Sequence, residues 1–149
     1  LTGQLGDVMT ESCHIAYSLV TGNPATFGFP EAVFDNKVTH IHVPAGAIKK
    51  DGPSAGVTMA TALVSLGRNE PPPKNWAMTG ELTLSGRVLP VGGIKEKVIA
   101  ARRSRVKDVI LPADNQKDFE EIPEKVRSGI APHYVESYKQ VFDLLFQKS

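Results

Sequence analysis

The amino-acid sequence predicts a single α+β domain. Segments in which apolar residues have helical spacing alternate with short segments of strand-like alternation, and no repeat or low-complexity tract interrupts them. The length of 149 residues suits one domain with a core of its own. Hydrophobic residues make up 41% of the chain and charged residues 22%, as is typical of a globular protein. We therefore expect one compact domain over residues 1–149.

The first half of the chain predicts two helices with a loop and a strand between them. Residues 5–20 place apolar side chains on one helical face, and the turn sequence T-G-N-P ends that helix. A loop rich in Gly, Pro and Phe follows, and residues 38–43, VTHIHV, then alternate as a strand does. Residues 52–67 carry no charge, and their length and alanines favour a buried helix that Gly67 ends.

The second half predicts a hairpin followed by alternating helices and strands. The segment W-A-M-T-G-E-L-T-L, the dipeptide S-G and the segment R-V-L-P-V-G-G are typical of a strand, a tight turn and a return strand. The elements expected after it are a helix at 94–104, a strand at 107–112, a capped helical turn at N-Q-K-D-F-E-E-I-P, a short strand at H-Y-V and an amphipathic helix at 137–146.

Charge and cysteine content exclude several classes of function. A net charge of +1 gives no electrostatic basis for binding nucleic acid or an anionic membrane. No apolar stretch approaches the roughly 20 residues of a membrane span, and no basic-then-apolar leader is present. The single cysteine, Cys13, excludes an internal disulfide framework and favours a reducing compartment. Because the chain opens with Leu1 rather than Met, we expect it to be a domain excised from a longer protein.

The segment K-D-G-P-S-A-G at residues 50–56 contains a candidate nucleophile, Ser54. Serine at a helix start is usually only an N-cap. Here Pro53 stiffens the approach, and the small neighbours of Ser54 leave room for another backbone. The N-terminus of the uncharged helix would also supply free N–H groups for an oxyanion. We expect Ser54 to cap the helix; a cap does not explain the bare surroundings of the serine, so the role of nucleophile stays open beside it.

The segment also fits the G-x-S-x-G nucleophile elbow of α/β-hydrolases. That elbow needs a strand running directly into the serine and an acid and a histidine after it. About ten loop residues separate Ser54 from the strand expected at 38–43, and His133 is the one histidine downstream. An elbow-type esterase is therefore a weaker alternative.

A serine nucleophile needs a base, and the four histidines supply no clear one. His14 and His133 have no motif around them. His40 and His42 form an H-x-H pair that resembles half of a metal site, but no Cys, Asp or Glu at close spacing completes a ligand set. We expect these two histidines to line a pocket or to pack beside the helix.

A neutral lysine can replace histidine as the base. Lowering a lysine pKa from about 10.4 to 7 costs roughly 4.6 kcal/mol, which burial among apolar groups can supply. The predicted helix 94–104 offers Lys95 and Lys97, and its apolar stripe runs through Ile94, Val98 and Ala101. Helical geometry places Lys97 closer to that stripe than Lys95, although two solvated lysines would fit the same K-E-K pattern.

The stretches KDGPSAGVTMATALVSL, AMTGELTLSGRVLPVGGIKEKVIAA and VILPADNQKDFEEIP resemble the proteolytic domain of the ATP-dependent Lon proteases. LTGQLGDVMTES and HIHVPAGA are similar to that family as well, so the resemblance covers nearly the whole chain. It implies the Lon-type α+β fold, which is like domain 2 of ribosomal protein S5. It also implies a serine endopeptidase with a Ser–Lys dyad.

The resemblance assigns roles to five residues. The family's serine falls on Ser54, and its lysine is the second one of K-E-K, Lys97. The threonine of M-T-G-E, Thr79, would hydrogen-bond that lysine and hold it toward the serine. Asp51 would lie near the dyad and gate it by pairing with the lysine, and Gly52 belongs to the same supporting segment. Backbone N–H groups around Ser54 would form the oxyanion hole.

The resemblance also implies partners and a setting. Substrates would be unfolded or damaged proteins, the full-length protein would be a hexameric ring, and its location would be the cytoplasm or a mitochondrial or peroxisomal matrix. The end F-Q-K-S shows no peroxisomal S-K-L signal. No G-x-x-x-x-G-K-[ST] motif occurs, so we expect no cofactor or metal here and place ATP and Mg²⁺ on a separate ATPase module.

Three departures or rivals qualify these expectations. Ala45 stands where many family members have glutamate, and the family's N-terminal strands would precede Leu1. A Lon-like domain that only serves as a scaffold is a further alternative. The presence of Ser54, Lys97 and Thr79 together argues against a scaffold, since a scaffold need not retain all three.

Overall fold

The computed structural model describes residues 1–147 and confirms the α+β class. Lys148 and Ser149, the last residues of the F-Q-K-S end, lie outside the described residues. In chain order the elements are α1 (Asp7–Thr21), α2 (Pro24–Phe27), α3 (Gly56–Arg68), β1 (Trp76–Met78), β2 (Glu81–Leu82), β3 (Val88–Leu89), α4 (Ile94–Arg103), β4 (Asp108–Pro112), a 3₁₀ turn (Ala113–Asn115), α5 (Gln116–Glu120), α6 (Glu124–Arg127), β5 (Ala131–Val135) and α7 (Tyr138–Phe146).

A parallel sheet lies at the centre of the fold. Its strand order is β1-β4-β5, with Ala77 opposite Val109 and Ile110 opposite His133. Helix α4 makes the crossover from β1 to β4, and α5 and α6 make the crossover from β4 to β5. Parallel neighbours need crossovers of this kind. Strands β2 and β3 form a separate antiparallel hairpin.

Alternating side chains of β4 divide the core between the two faces of the sheet. Ile110 joins the larger cluster, in which α1 packs along α3 and α7 covers one end. Val109 and Leu111 face the smaller cluster with the buried side of α4 and Phe119 of α5. Since successive residues of a strand point to opposite faces, both faces of the sheet are covered by helices.

Several predicted elements are confirmed. The structure forms the predicted helices as α1, α4 and α7, and the predicted strand at 107–112 as β4. Ser137 and Gln140 cap α7 with a capping box. Helix α3 runs one residue past the expected stop at Gly67, to Arg68, and its C-cap Asn69 adopts a left-handed conformation. The loop after α1 contains the short helix α2.

The predicted strand at residues 38–43 is wrong. Only His42 pairs, in an isolated parallel bridge with Thr2. The partner segment cannot continue as a strand, because Gly3 and Gln4 directly after Thr2 have φ values of +120° and +61°. The residues on either side of the bridge therefore stay irregular.

The predicted continuous strand over W-A-M-T-G-E-L-T-L is also wrong. It breaks after Met78, so that β1 belongs to the parallel sheet while β2 begins the hairpin with β3. The break falls at Thr79 and Gly80, whose polar groups bond to the segment before α3.

The helices of residues 1–147 include none with the length and hydrophobicity of a membrane span.

Candidate active site

Ser54 lies in a tight turn just before α3. Ala55, not Ser54, is the N-cap, and the Ser54 side chain makes no capping hydrogen bond. The expectation that Ser54 caps the helix is therefore wrong. The Gly56 N–H, which a capping Ser54 side chain could bind, donates instead to the carbonyl of Pro53 at 3.3 Å.

Three hydrogen bonds fasten this turn to the segment between β1 and β2. The Gly80 N–H donates to the Ser54 carbonyl at 3.0 Å, and the Val57 N–H donates to the Gly80 carbonyl at 3.3 Å. The Thr79 hydroxyl donates to the same Ser54 carbonyl at 3.2 Å. Together these bonds fix the backbone of Ser54 against Thr79, a side chain that is only 5% exposed.

Two glycines permit this close approach. A Cβ at Gly56 would lie 3.2 Å from the backbone nitrogen of Leu82, and a Cβ at Gly80 would lie 2.7 Å from the Val88 side chain. The second glycine of G-P-S-A-G and the glycine of M-T-G-E are thus required by packing.

Lys97 reaches the same place from α4. Ile94, Val98 and Ala101 bury one face of that helix, while Lys97 is half-buried beside them and Lys95 is exposed. The Lys97 Nζ donates to the Thr79 hydroxyl at 3.0 Å and to the Gly92 carbonyl at 3.1 Å. Thr79 therefore bridges the lysine amine and the Ser54 backbone.

Burial lowers the pKa of the Lys97 amine from its ordinary value. Among the described residues that line the surrounding pocket, Lys97 is the single acidic or basic side chain. No carboxylate in the pocket therefore opposes the lowering of its pKa. The direction is the one a general base requires, because only a neutral amine can accept a proton.

Ser54 and Lys97 line one pocket of about 380 Å³. Its walls come from β1, β4 and α4, and include Ala77, Met78, Ala100, Ala101, Val106 and Val109. The Ser54 hydroxyl makes no hydrogen bond to Lys97 in this structure. Within the described part of the chain, the backbone N–H groups of Ser54 and Ala55 donate to no backbone or side-chain acceptor. The pocket therefore combines a free hydroxyl, an amine and free N–H donors.

The whole chain compares closely with one family of proteins. The model of the Lon protease (S16) C-terminal proteolytic domain matches residues 1–148. The chain belongs to the Lon protease family. It is similar to a Lon protease of Desulfosudis oleivorans (57% identical, over 97% of this chain and 18% of that protein) and to Lon protease 2 of Hydrogenovibrio crunogenus (55%, over 98% and 17%). It is also similar to a mitochondrial Lon protease homolog of Oryza sativa subsp. indica (50%, over 99% and 15%).

The chain thus spans less than a fifth of the length of each of these Lon relatives. The family identifies a proteolytic domain of the serine peptidase type. It includes bacterial and mitochondrial members, which fits either of the settings expected from the sequence.

Asp51 contacts α1 rather than Lys97. Its carboxylate accepts hydrogen bonds of 2.9 Å from the N–H of Met9 and the N–H of Gly52. These two bonds, that of Met9 first, hold the pKa of Asp51 below its ordinary value. Met9 is in the first turn of α1, so Asp51 caps this helix from a distant part of the chain. The expected pairing of Asp51 with Lys97 is not made among the described residues of this Lon domain.

Gly52 supports this arrangement through its backbone. Its φ of +117° lies in the region that favours glycine, and its N–H is occupied by the Asp51 carboxylate. That N–H is therefore not a donor for an oxyanion in this structure. The free donors lie further along, at Ser54 and Ala55.

His40 and His42 lie outside the pocket that Ser54 and Lys97 line. His40 Nε2 and His42 Nδ1 both contact the Thr2 hydroxyl, at 2.8 and 2.7 Å, and both side chains are exposed. The expectation that they line a pocket or pack beside the helix is wrong, because His40 and His42 are exposed, while Ile41 and Val43 between and after them are half-buried against the core. Within residues 1–147, no cluster of three or more His, Cys, Asp or Glu side chains could hold a metal ion.

His133 is occupied elsewhere in the Lon domain. Its Nε2 lies 2.9 Å from Asp108, and its ring lies 4.7 Å from the ring of Trp76. His133 is absent from the lining of the pocket that holds Ser54. This placement removes the histidine that an elbow-type esterase would need.

Sequence reasoning missed two groups near Lys97. The Gly92 carbonyl is a second acceptor for the lysine amine, and Asn115 binds the backbone next to it. The expected helical turn at N-Q-K-D-F-E-E-I-P is present as α5, and Asn115 occupies its N-cap position, but the Asn115 side chain makes no capping hydrogen bond. No sequence signal locates a backbone carbonyl, and the asparagine acts on a residue 24 positions away.

Proposed function

We propose that this domain is a serine endopeptidase in which Ser54 is the nucleophile and Lys97 is its general base. The observation that carries the proposal is the bridge from Lys97 Nζ through the Thr79 hydroxyl to the Ser54 carbonyl, at 3.0 and 3.2 Å. The bridge brings an amine with a lowered pKa into the pocket of a serine whose hydroxyl is free. Membership of the Lon family supports the same reaction class.

The hydrogen bonds around Lys97 favour its action as a base. The Thr79 hydroxyl has one hydrogen, and this hydrogen is donated to Ser54, so its oxygen must accept from Lys97. A neutral amine has two hydrogens, which Thr79 and the Gly92 carbonyl accept. The single lone pair of the nitrogen then stays free to accept a proton from Ser54.

The acylation step follows from this arrangement. Lys97 takes the Ser54 proton as Ser54 Oγ attacks the carbonyl carbon of the peptide bond, and the carbonyl oxygen becomes an oxyanion. When the tetrahedral intermediate collapses, the C–N bond breaks and Lys97 gives its proton to the leaving amine. Water then attacks the acyl ester, with Lys97 again taking the proton. As the bond between the acyl carbon and Ser54 Oγ breaks, Lys97 returns this proton to Oγ, and the product acid leaves.

The backbone N–H groups of Ser54 and Ala55 supply the oxyanion site. Both groups lack protein partners within the described residues, and they precede α3, whose N-terminus carries a partial positive charge. Donors placed where negative charge develops stabilise the transition state, and each such donor contributes about 3–4 kcal/mol in serine peptidases.

An extended, unfolded polypeptide fits the pocket as substrate. Among the described residues, β1 is an edge strand of the parallel sheet, with β4 as its one neighbour. The backbone groups of Trp76 and Met78 therefore point to the free edge of the sheet. Gly80 continues this row and is bonded to Ser54. A peptide added along β1 would therefore lead its scissile bond to Ser54. Covering the pocket would also remove water from Lys97 and lower its pKa further.

The wider assembly is part of the same proposal. The chain contains no G-x-x-x-x-G-K-[ST] motif, so ATP and Mg²⁺ belong to an ATPase module elsewhere in the full-length polypeptide. That module unfolds damaged proteins and feeds them to a hexameric ring of proteolytic domains. We place the protein in the cytoplasm or in a mitochondrial or peroxisomal matrix.

A serine-directed covalent probe tests the dyad without requiring the ATPase module. A fluorophosphonate should label Ser54, as mapped by mass spectrometry, and Ser54→Ala should remove the label. Lys97→Ala should slow labelling by at least about 100-fold, the scale of general-base catalysis. Lys95→Ala is the matched control two residues away on an exposed site, and it should label as the wild type does.

Two results would reject the proposed dyad. Labelling of Ser54 that is independent of Lys97 in a folded variant would remove the base. Loss of labelling in His133→Ala, with Lys97→Ala unaffected, would favour a histidine-dependent esterase in its place.

A further inference from the structure

The segment Val91-Gly92-Gly93 contributes a backbone group to the candidate site; Val91 packs against the smaller core cluster, but the two glycines have no side chains to hold them. Its Gly92 carbonyl accepts the second hydrogen bond of the Lys97 amine, at 3.1 Å. Gly92 and Gly93 are exposed, and a Cβ at Gly92 would meet no atom within 4 Å. Gly93 adopts a φ of +73°, a conformation that glycine reaches easily. Two adjacent exposed glycines would leave this carbonyl mobile unless something outside the segment held it.

The Asn115 side chain supplies that support. Its Oδ1 accepts the Val91 N–H at 2.9 Å, and its Nδ2 donates to the Val91 carbonyl at 2.9 Å. The amide therefore pairs with both backbone groups of one residue, as a neighbouring strand would. Nδ2 also donates to Asp118 at 2.7 Å, and Asn115 is only 2% exposed.

The Gly92 carbonyl is thus fixed from both sides. On the N-terminal side, Asn115 holds the Val91 peptide groups. On the C-terminal side, the Lys97 N–H donates to the Gly93 carbonyl at 3.0 Å and begins the regular bonding of α4. The carbonyl that orients the Lys97 amine lies between these two anchors, one residue from each.

We infer that Asn115 is a positioning residue for Lys97, which it holds in place through the Val91 backbone and the Gly92 carbonyl. The inference rests on the proposed role of Lys97 as the base. Asn115 itself is absent from the lining of the dyad pocket, and its partners are Val91 and Asp118, so it takes no direct part in the reaction.

Loss of the Asn115 clamp should expose the lysine to water. The loop contacts the half-buried Lys97 directly, because the amine donates to the Gly92 carbonyl and a Cβ at Gly93 would lie 3.9 Å from Lys97 Cε. Burial is what lowers the pKa of this amine. When the loop moves away, that pKa should rise toward its ordinary value. No charged side chain from β1, β4 or α3 lines the pocket. The charged side chains that line the neighbouring cavity with the loop, all of them exposed and kept in the variant, are Lys95, Glu96, Asp118 and Glu121.

The experiment is an NMR titration of the Lys97 side chain in the folded domain labelled with ¹³C at lysine Cε. The resonance is assigned by its absence in Lys97→Arg. In Asn115→Ala the titration midpoint of Lys97 should move to higher pH than in the wild type. Each pH unit of that shift lowers the neutral fraction of the amine about tenfold at a fixed pH below the midpoint.

Kinetics give a second, separate readout. The pH profile of Ser54 labelling should shift in Asn115→Ala by the same amount as the Lys97 midpoint, and raising the pH should restore most of the rate. Asp118→Ala removes the third partner of Asn115 but leaves the Val91 pair, so it should titrate and label as the wild type does.

A general loss of stability would not reproduce these results. Tyr138→Phe removes the buried hydrogen bond of 3.0 Å between Tyr138 and Thr61, far from the loop, and should leave the Lys97 midpoint unchanged. Asn115→Ser, a smaller polar side chain that cannot reach both Val91 groups, replaces Asn115→Ala if the alanine variant does not fold. An unchanged Lys97 midpoint in the folded variant overturns the inference.

The titration also separates this inference from the proposed function. A shifted midpoint with no labelling of Ser54 in any form would support the Asn115 clamp and reject the dyad. Normal labelling with an unshifted midpoint would reject the clamp alone.

Discussion

Replacing Thr79 with valine should slow the acylation of Ser54 while leaving the fold in place. Valine keeps the branched shape of threonine at a position that is 5% exposed, so the packing around it changes little. The substitution removes the one oxygen that joins the Lys97 amine to the Ser54 carbonyl. Lys97 then keeps the Gly92 carbonyl as its remaining partner in the described structure.

The expected magnitude follows from the bonds that are lost. A hydrogen bond to a charged group contributes about 1.5–3 kcal/mol, and Lys97 carries the positive charge once it has taken the proton. At about 1.4 kcal/mol for each factor of ten, the labelling rate should fall about 10- to 150-fold. The neutral bond from Thr79 to the Ser54 carbonyl contributes only about 0.5–1.5 kcal/mol to stability, so the melting temperature should fall slightly.

The assay is the rate of fluorophosphonate labelling of Ser54 at one fixed pH. Thr79→Ser keeps the hydroxyl and should recover most of the rate. Thr83→Val is the matched control, because the Thr83 hydroxyl is bonded to Ser85 and to the Arg87 N–H in the β2–β3 turn, outside the pocket. A Thr79→Val variant that labels at the wild-type rate would show that the bridge has no part in activating Lys97.

Three further predictions concern stability. Gly80→Ala should lower the unfolding free energy, measured by urea titration, by about 1–3 kcal/mol, because the new Cβ would meet core valine side chains at 2.7 and 2.9 Å. The control Gly46→Ala, whose Cβ would have no atom within 4 Å, should leave the unfolding free energy nearly unchanged. Asp51→Asn should lower the melting temperature at neutral pH. Because the pKa of Asp51 is lowered in the folded state, the stabilisation by its carboxylate is complete above the ordinary value of 3.8 and is lost as the pH falls through the folded-state pKa. The melting temperatures of the wild type and the variant should therefore converge at that low pH. Burial raises the pKa of Tyr138, so wild-type stability should fall with pH above the ordinary value of 10.0 more steeply than that of Tyr138→Phe.

Local patterns predicted the longer helices and the position of Lys97, but not the short helices α2 and α6. Regular apolar spacing around Ile94 and Val98 defines the buried face of α4, and the lysine beside that face is the half-buried one. Helix geometry relates residues within a few positions of each other, so this information is present in the local sequence. The same holds for α1 and for α7 with its capping box.

Long-range pairings were beyond the local patterns. The segment 38–43 has strand-like alternation, but whether it forms a strand depends on a partner, and the backbone at Gly3 and Gln4 ends that partner after one residue. Asp51 is three positions before Ser54 in sequence, yet its carboxylate binds Met9, which is 42 positions away. Neither pairing leaves a signal in the spacing of residues.

The position of Thr79 illustrates the same division. The motif M-T-G-E marked the threonine through resemblance alone, whereas the strand break that places its hydroxyl between Ser54 and Lys97 was not predicted. That break requires Gly80 to pack against α3 and β3, a contact between segments far apart in the chain.

The most direct test of the dyad compares two midpoints measured on the same protein. One is the pH at which Ser54 labelling reaches half its maximal rate, and the other is the pH at which Lys97 titrates by NMR. Because only the neutral amine can take the Ser54 proton, labelling should increase with pH and the two midpoints should coincide. A labelling midpoint that differs from that of Lys97, or that persists unchanged in a folded Lys97→Arg variant, would contradict the assignment of Lys97 as the base.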